Sequence, residues 1–155
     1  MLGKTYDTQV CSIARSLELV GERWSLLIVR DALFAGVTRF ADFQHNLGIA
    51  SNVLASRLES FVASGVMERA DDADYVLTEK GRALAVALMA LTEWGDAWAT
   101  DAEPPILYAH AGCGGAVHVG AACDLHGPVP ADDVVARVGP GMPAEYLADR
   151  RGRRG

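Results

Sequence analysis

A chain of 155 residues, half of them apolar, has material for one hydrophobic core with an appendage and too little for two full domains. Its net charge of −6 argues against indiscriminate coating of nucleic acid, because nonspecific affinity comes mainly from Lys and Arg displacing counterions. Residues 1–100 hold nine Lys plus Arg against thirteen Asp plus Glu, and residues 101–155 hold five against seven, so any case for DNA rests on where the cations stand.

The opening "MLGKTYDTQV" has no apolar stretch of the signal-peptide kind, and the longest apolar run, Ala83 to Leu91, falls far short of the ~20 residues that span a bilayer. The expected location is cytoplasmic, away from membranes. Three Cys cannot all pair within the chain and lie too far apart for a small disulfide scaffold, which leaves metal, redox or core roles for reduced thiols.

A first helix is predicted from Cys11 to Val20, with Ile13, Leu17 and Val20 on one face and Gly21 as its stop. A second covers about Arg23 to Phe34, with Trp24, Leu27, Ile28 and Phe34 inward and Gly36 after it. A short third runs from Arg39 to Asn46, with Thr38 as a candidate N-cap and Phe40, Phe43 and Leu47 inward. The fourth begins at Ala50 or Ser51 and continues to Ser64, with Leu54, Leu58 and Phe61 at i, i+4, i+7 and Gly65 closing it.

Two short strands follow, Val66 to Ala70 and Tyr75 to Leu77, joined by the acidic tip Asp71-Asp72-Ala73-Asp74. Thr78 is placed to cap one long fifth helix from Glu79 to Trp98, apolar all round its axis. A helix of that kind needs cover on more than one side. A second copy of the chain is the cover expected here, and the C-terminal appendage is the alternative.

This order of parts gives a mainly α fold: a winged helix-turn-helix with a short β-hairpin wing, a long dimerisation helix and a small Cys/His-bearing β appendage. The organisation is 1–101 for DNA binding and dimerisation, 102–148 for a small knuckle-like appendage, and 149–155 for a disordered basic tail. In such a fold the helix from Ser51 enters the major groove. Asn52 and Arg57 are then the candidates for direct base readout, Val53 and Ala55 suit a thymine methyl, and Ser51 and Ser56 complete the exposed face. Arg39, Arg69 and Lys80 are the candidate phosphate contacts, and the acidic tip speaks for a wing that contributes little.

Cys11 to Leu84 resembles the HxlR family of MarR-like winged helix-turn-helix transcriptional regulators. The resemblance is carried by a Cys opening the first helix, "GERW", "TRFADF", "LASRLESF" and "YVLTEKG", and extends to "LTEWGDAW". It implies a dimeric regulator whose Ser51, Asn52, Val53, Ser56 and Arg57 face the groove, whose Arg39 meets phosphate and whose terminal helices pack between subunits. It also implies a sensing role for Cys11 toward oxidants or electrophiles; the bland alternative is a small apolar residue packed at the interface. Ala50 departs from the family pattern, which usually has a capping Ser or Thr there, so Ser51 is expected to take the capping role.

His110, Cys113, Cys123 and His126 form H-x2-C and C-x2-H pairs separated by nine residues, each followed by Gly. Two ligand pairs at tight turns suit a structural zinc ion; the alternative is a metal-free β appendage with Cys113 and Cys123 packed or disulfide-linked. A strand-like stretch around Val117 and Val119 is expected between the pairs, and a strand and turn over Val134 to Pro143. Trp24, Trp94 and Trp98 with Met89 are a candidate pocket for a small effector. No phosphate loop, nucleophile–base pair or carboxylate cluster is organised here, so the chain is not expected to be an enzyme. The partners expected are a double-stranded DNA operator and a second copy; a dimeric metal- or ligand-binding module with little DNA affinity is the competing reading.

Overall fold

The computed structural model describes residues 5–7, 9–70 and 74–146. Helices α1 (Ser12–Val20), α2 (Ser25–Phe34), α3 (Phe40–Leu47) and α4 (Ser51–Ala63) follow in order, then a hairpin of β1 (Met67–Arg69) and β2 (Tyr75–Leu77). Helices α5 (Glu79–Arg82) and α6 (Ala85–Trp98) come next. A second hairpin, β3 (Ala121–Cys123) with β4 (Gly127–Val129), and a 3-10 turn at Ala131–Asp133 complete the order. The chain divides into two units, Leu19–Val119 and one formed by Met1–Glu18 with Gly120–Gly155. That division falls at Gly120, within the stretch that composition marks as a single appendage.

The core of the Leu19–Val119 unit is built by the predicted faces of three helices. Ile28 and Val29 of α2, Phe43 of α3, and Leu54, Leu58 and Phe61 of α4 are buried together with Val66 and Met67. Side chains of this size contribute about 1.5–3 kcal/mol each on burial, which is what holds α4 in register behind α3. Gly48 follows α3 in the left-handed region (φ 60°) and its N–H donates to the Gln44 carbonyl, so the chain turns sharply enough to start α4 three residues later.

The wing is antiparallel, with Met67 opposite Leu77, Glu68 opposite Val76 and Arg69 opposite Tyr75. The Ala70 N–H donates to the Asp74 carbonyl at 2.8 Å, which closes the ladder just before the tip. Residues 71–73, and with them the acidic tip apart from Asp74, lie outside the described residues, as does the basic tail at 149–155.

Three expectations are corrected. Ile13 (70% exposed) and Leu17 lie outward on α1 while Ala14 and Val20 are buried, and Phe34 is exposed at the end of α2, whereas Trp24, half-buried, does pack against the core. The helix after the wing is not continuous: α5 ends at Arg82, and the Leu84 N–H bonds to the Gly81 carbonyl three residues back, a tight turn that interrupts the helix before α6. No strand forms over residues 134–143; Val134, Val135 and Val138 stay exposed, although the turn there is present, with Met142 N–H donating to Gly139 O.

Thr78 does cap α5, its hydroxyl oxygen accepting from the Gly81 N–H at 3.3 Å while its hydroxyl proton goes to the Gly65 carbonyl at 2.6 Å. Beyond α6 the chain folds back onto that helix. Tyr108 Oη lies 3.0 Å from Thr92 Oγ1, its ring packs on Phe34 at 5.1 Å, and Glu93 accepts from the Val119 N–H at 3.2 Å. Part of the cover that α6 needs therefore comes from residues 108–119. Val86, Leu91, Trp94 and Trp98 remain exposed. Among the described residues no helix is long and apolar enough to cross a membrane.

Candidate nucleic-acid interface

Helix α4 begins at Ser51, with Ala50 extended (φ −63°, ψ 137°) in the N-cap position and no side chain capping it. Ser51 therefore does not take the capping role expected of it. Its Oγ instead accepts from Gln44 Nε2 at 2.6 Å, a bond that ties the first turn of α4 to the last turn of α3. The Val53 and Leu54 N–H groups both donate to the Ala50 carbonyl at 3.0 Å, so the first turn of α4 is served by backbone and not by a capping side chain.

Ser51, Asn52 and Ser56 are exposed on α4, and Glu59 and Ser60 continue that face. Val53 is half-buried against the core, so its role is divided between packing and the surface. The reading face itself is neutral and short-chained at its N-terminal end and acidic further along.

The four candidate cations all have partners inside the protein. Arg39 Nε stands 3.7 Å from Asp74 Oδ1, and Asp74 Oδ2 accepts from Thr38 Oγ1 at 3.0 Å. Arg57, only 25% exposed, stands 3.8 Å from Glu22 Oε1. Arg69 donates to Tyr75 Oη at 2.8 Å with its guanidinium 4.8 Å from that ring's centroid, which lays the side chain along the wing. Lys80 Nζ donates to the Ser64 carbonyl at 2.7 Å, satisfying one of the acceptors left at the C-terminus of α4. Sequence reading named these cations but missed Gln44, Glu22 and Asp74 as the residues that hold their surroundings. Two of these carried a signal, Glu22 by its place in "GERW" and Asp74 by its place in the acidic tip, though neither showed which arginine it would face.

Comparison with known proteins bears on this arrangement. Residues 19–103 match the family model described as HxlR-like helix-turn-helix. The chain belongs to that family. It is 41% identical over 145 residues to Rv3095 of Mycobacterium tuberculosis, an uncharacterised HTH-type transcriptional regulator, covering 88% of this chain and 91% of the relative. Its fold matches that of PA1607, described as a candidate transcription factor, with a TM-score of 0.75 and 37% identity over 87% of this chain and 98% of the other. Quinone-bound YodB of Bacillus subtilis matches with a TM-score of 0.52 and 30% identity over 58% of this chain and all of YodB. The chain is thus a helix-turn-helix transcriptional regulator with the mainly helical, winged fold expected from its sequence.

The HxlR-like match stops at residue 103, whereas Rv3095 and PA1607 align with most of this chain, appendage included in part. Within the appendage the two ligand-like pairs sit on turns of the same design. At the first, Gly114 N–H donates to the His110 carbonyl at 2.8 Å, Gly114 has φ 71°, and His110 Nδ1 lies 3.3 Å from Cys113 Sγ. At the second, His126 N–H donates to the Cys123 carbonyl at 3.3 Å, Gly127 has φ 71°, and Cys123 Sγ lies 3.4 Å from His126 Nδ1. The first pair belongs to the Leu19–Val119 unit and the second to the other. Among the described residues no group of three or more His, Cys, Asp or Glu is gathered as a metal cage, and Cys113 and Cys123 are thiols rather than a disulfide. Of the strand expected between the turns, Val117 and Val119 themselves form none: Ala116 makes a single bridge with Ala109, and strand β3 begins only at Ala121.

Cys11 is exposed at the N-terminal edge of α1, where its carbonyl accepts from the Arg15 N–H at 3.2 Å. None of the three tryptophans lines the cleft between the end of α2 and the wing. Trp94 and Trp98 are exposed and Trp24 lies under the Arg23 guanidinium at 5.4 Å. That cleft, of about 240 Å³, lies between the end of α2 and the wing and is lined by Ala32, Leu33, Gly36, Val37, Thr38, Tyr75, Val76, Leu77 and Arg82.

Proposed function

We propose that this regulator binds duplex DNA sequence-specifically as a cytoplasmic homodimer, reading the major groove with Ser51, Asn52, Val53, Ser56 and Arg57 and meeting phosphates with Arg39, Arg69 and Lys80. The observation that carries the reading is the uncapped, exposed start of α4, presented by a helix-turn-helix whose core buries the opposite face. Two copies present two such helices, suited to half-sites about one turn of DNA, ~34 Å, apart. The exposed apolar residues of α6, Val86, Leu91, Trp94 and Trp98, supply the surface that a second copy covers. Duplexes selected from a random library, titrated at several salt concentrations, test this. Sequence preference and a linear fall of log K with log salt are expected; the absence of both leaves the competing module with little DNA affinity as the better account.

Cys11 is the proposed sensing residue. A thiolate at a helix N-terminus is favoured by the positive end of the dipole and adds to a ring carbon of a quinone, forming a C–S bond as the C=C π bond breaks and its electron pair moves onto the carbonyl oxygen, which takes a proton from solvent; loss of the ring proton then leaves the aromatic hydroquinone thioether. The quinone-bound state of YodB supports this reading. The cleft beside Arg82 is the alternative place for a small effector.

For the appendage, we propose that His110, Cys113, Cys123 and His126 are ligands to structural zinc, two from each turn. Zn–S and Zn–N distances of ~2.3 and ~2.05 Å in a tetrahedron set sulfur and nitrogen about 3.5 Å apart. The separations of 3.3 and 3.4 Å in the two turns are close to that edge, and a Gly after each pair frees the backbone to turn tightly.

A further inference from the structure

Arg39, proposed above to meet phosphate, and Arg57, proposed above to read the groove, each face a carboxylate of the protein itself. Asp74 is held at Arg39 by two ties to the segment before α3: its own bond from Thr38 Oγ1, and the backbone bond from Tyr75 N–H to Thr38 O at 2.8 Å. Arg39 is 75% exposed, so its guanidinium is accessible but partly neutralised. Glu22, 66% exposed, stands at Arg57 from the residues just before α2.

Resting on the DNA-binding reading above, we propose that Asp74 and Glu22 are internal stand-ins for DNA, Asp74 for the phosphate that Arg39 meets and Glu22 for the groove acceptor that Arg57 meets, which hold both arginines on the protein and suppress binding to arbitrary duplex. The physical reason is counterion arithmetic. A cation already facing a carboxylate releases fewer DNA counterions when it meets a phosphate, and the displaced carboxylate is left beside the polyanion. Exposed ion pairs at 3.7 and 3.8 Å are weak, so they can be exchanged when the whole reading helix docks. A loose complex resting on phosphate contacts alone gains little from exchanging them. On this account Asp74 is a positioning residue of the interface as well as part of an acidic wing.

The test compares Asp74→Asn and Glu22→Gln with the native full-length protein, using a random duplex and a library-selected duplex over a range of salt. Asn at 74 keeps an oxygen for the Thr38 bond, and Glu103→Gln makes the same charge change beyond α6 as a control. Each interface variant is expected to bind the random duplex roughly two- to fivefold tighter at low salt. The slope of log K against log salt should steepen by up to about 0.9 for each additional phosphate neutralised, with Glu103→Gln unchanged. Native protein that binds the selected duplex, with both variants matching it in affinity and slope on random DNA, overturns the inference alone. Native protein that binds neither duplex overturns the DNA-binding reading and this inference with it.

Discussion

Gly81 shows how one residue decides the path of the chain. A Cβ at this position would meet the Val66 carbonyl oxygen at 2.2 Å and Leu77 Cδ2 at 2.7 Å, so α5 lies on the base of the wing only because position 81 has no side chain. Backbone cannot yield as a flexible side chain can. Gly81→Ala is therefore expected to destabilise the protein by about 2 kcal/mol or more, despite the higher helix propensity of Ala. Gly95 in α6 has nothing within 4 Å of its Cβ position, and Gly95→Ala should gain about 0.5–1 kcal/mol from propensity alone. Denaturant unfolding of the two variants reads both; equal effects would mean that close approach at Gly81 is not what fixes α5. Neither outcome is legible locally, because "TEKGRAL" reads as uninterrupted helix and the obstructing carbonyl belongs to a residue fifteen positions earlier. The same holds for the site. The polar face of Ser51, Asn52 and Ser56 follows from helical spacing, but Arg39 meets Asp74 across 35 positions and Arg57 meets Glu22 across 35, pairings that only the packed fold creates.

At the scale of elements, periodicity and glycine stops located α1 to α4 and the wing to within a residue or two, since each helix carries a regular apolar row, buried in α2, α3 and α4, and ends just before a Gly or two residues short of one. The faces of α1 and α6 were harder to assign. A row such as Ile13 and Leu17 states that something must cover it without stating what, and both side chains stay exposed in the single chain. α6 carries the same message: Leu88 is buried, residues 108–119 take its Thr92 and Glu93, and Leu91 and Trp94 stay exposed. If a second copy is the cover, Leu91→Glu puts a charge into a desolvated interface without disturbing the protomer's own core. Sedimentation should then show native dimers and Leu91→Glu monomers, at least tenfold weaker in association, with unchanged far-UV circular dichroism. A native protein that sediments as a monomer, or a variant that stays fully dimeric, removes α6 from the assembly. Monomers should also lose most affinity for a two-half-site duplex, since each copy then binds alone.

At the scale of the whole molecule, the helix-turn-helix unit is held by a continuous apolar core, whereas the appendage beyond residue 103 leaves its large apolar side chains outside any such core: Leu107, Leu125, Val135 and Val138 are all exposed. The Val-rich stretch from Val134 was expected to form a strand, but without a partner strand or core to face, its apolar side chains have nothing to organise them. A segment so poor in buried surface needs another source of stability, and two His/Cys turns of matched geometry supply a physical candidate. Metal binding of this kind is folding free energy for the segment that holds it. Protein purified without chelator is therefore expected to contain zinc, and Cys113→Ser and Cys123→Ser should each lose most of it. Chelation should expose the appendage to protease while the α2–α4 core keeps its helical signal. Both thiols must matter equally if two ligands come from each turn, so a variant pair in which only one loses metal would exclude that ligand set. Native protein free of zinc, and unchanged in protease resistance with added zinc, would leave the two turns as hydrogen-bonded loops and nothing more.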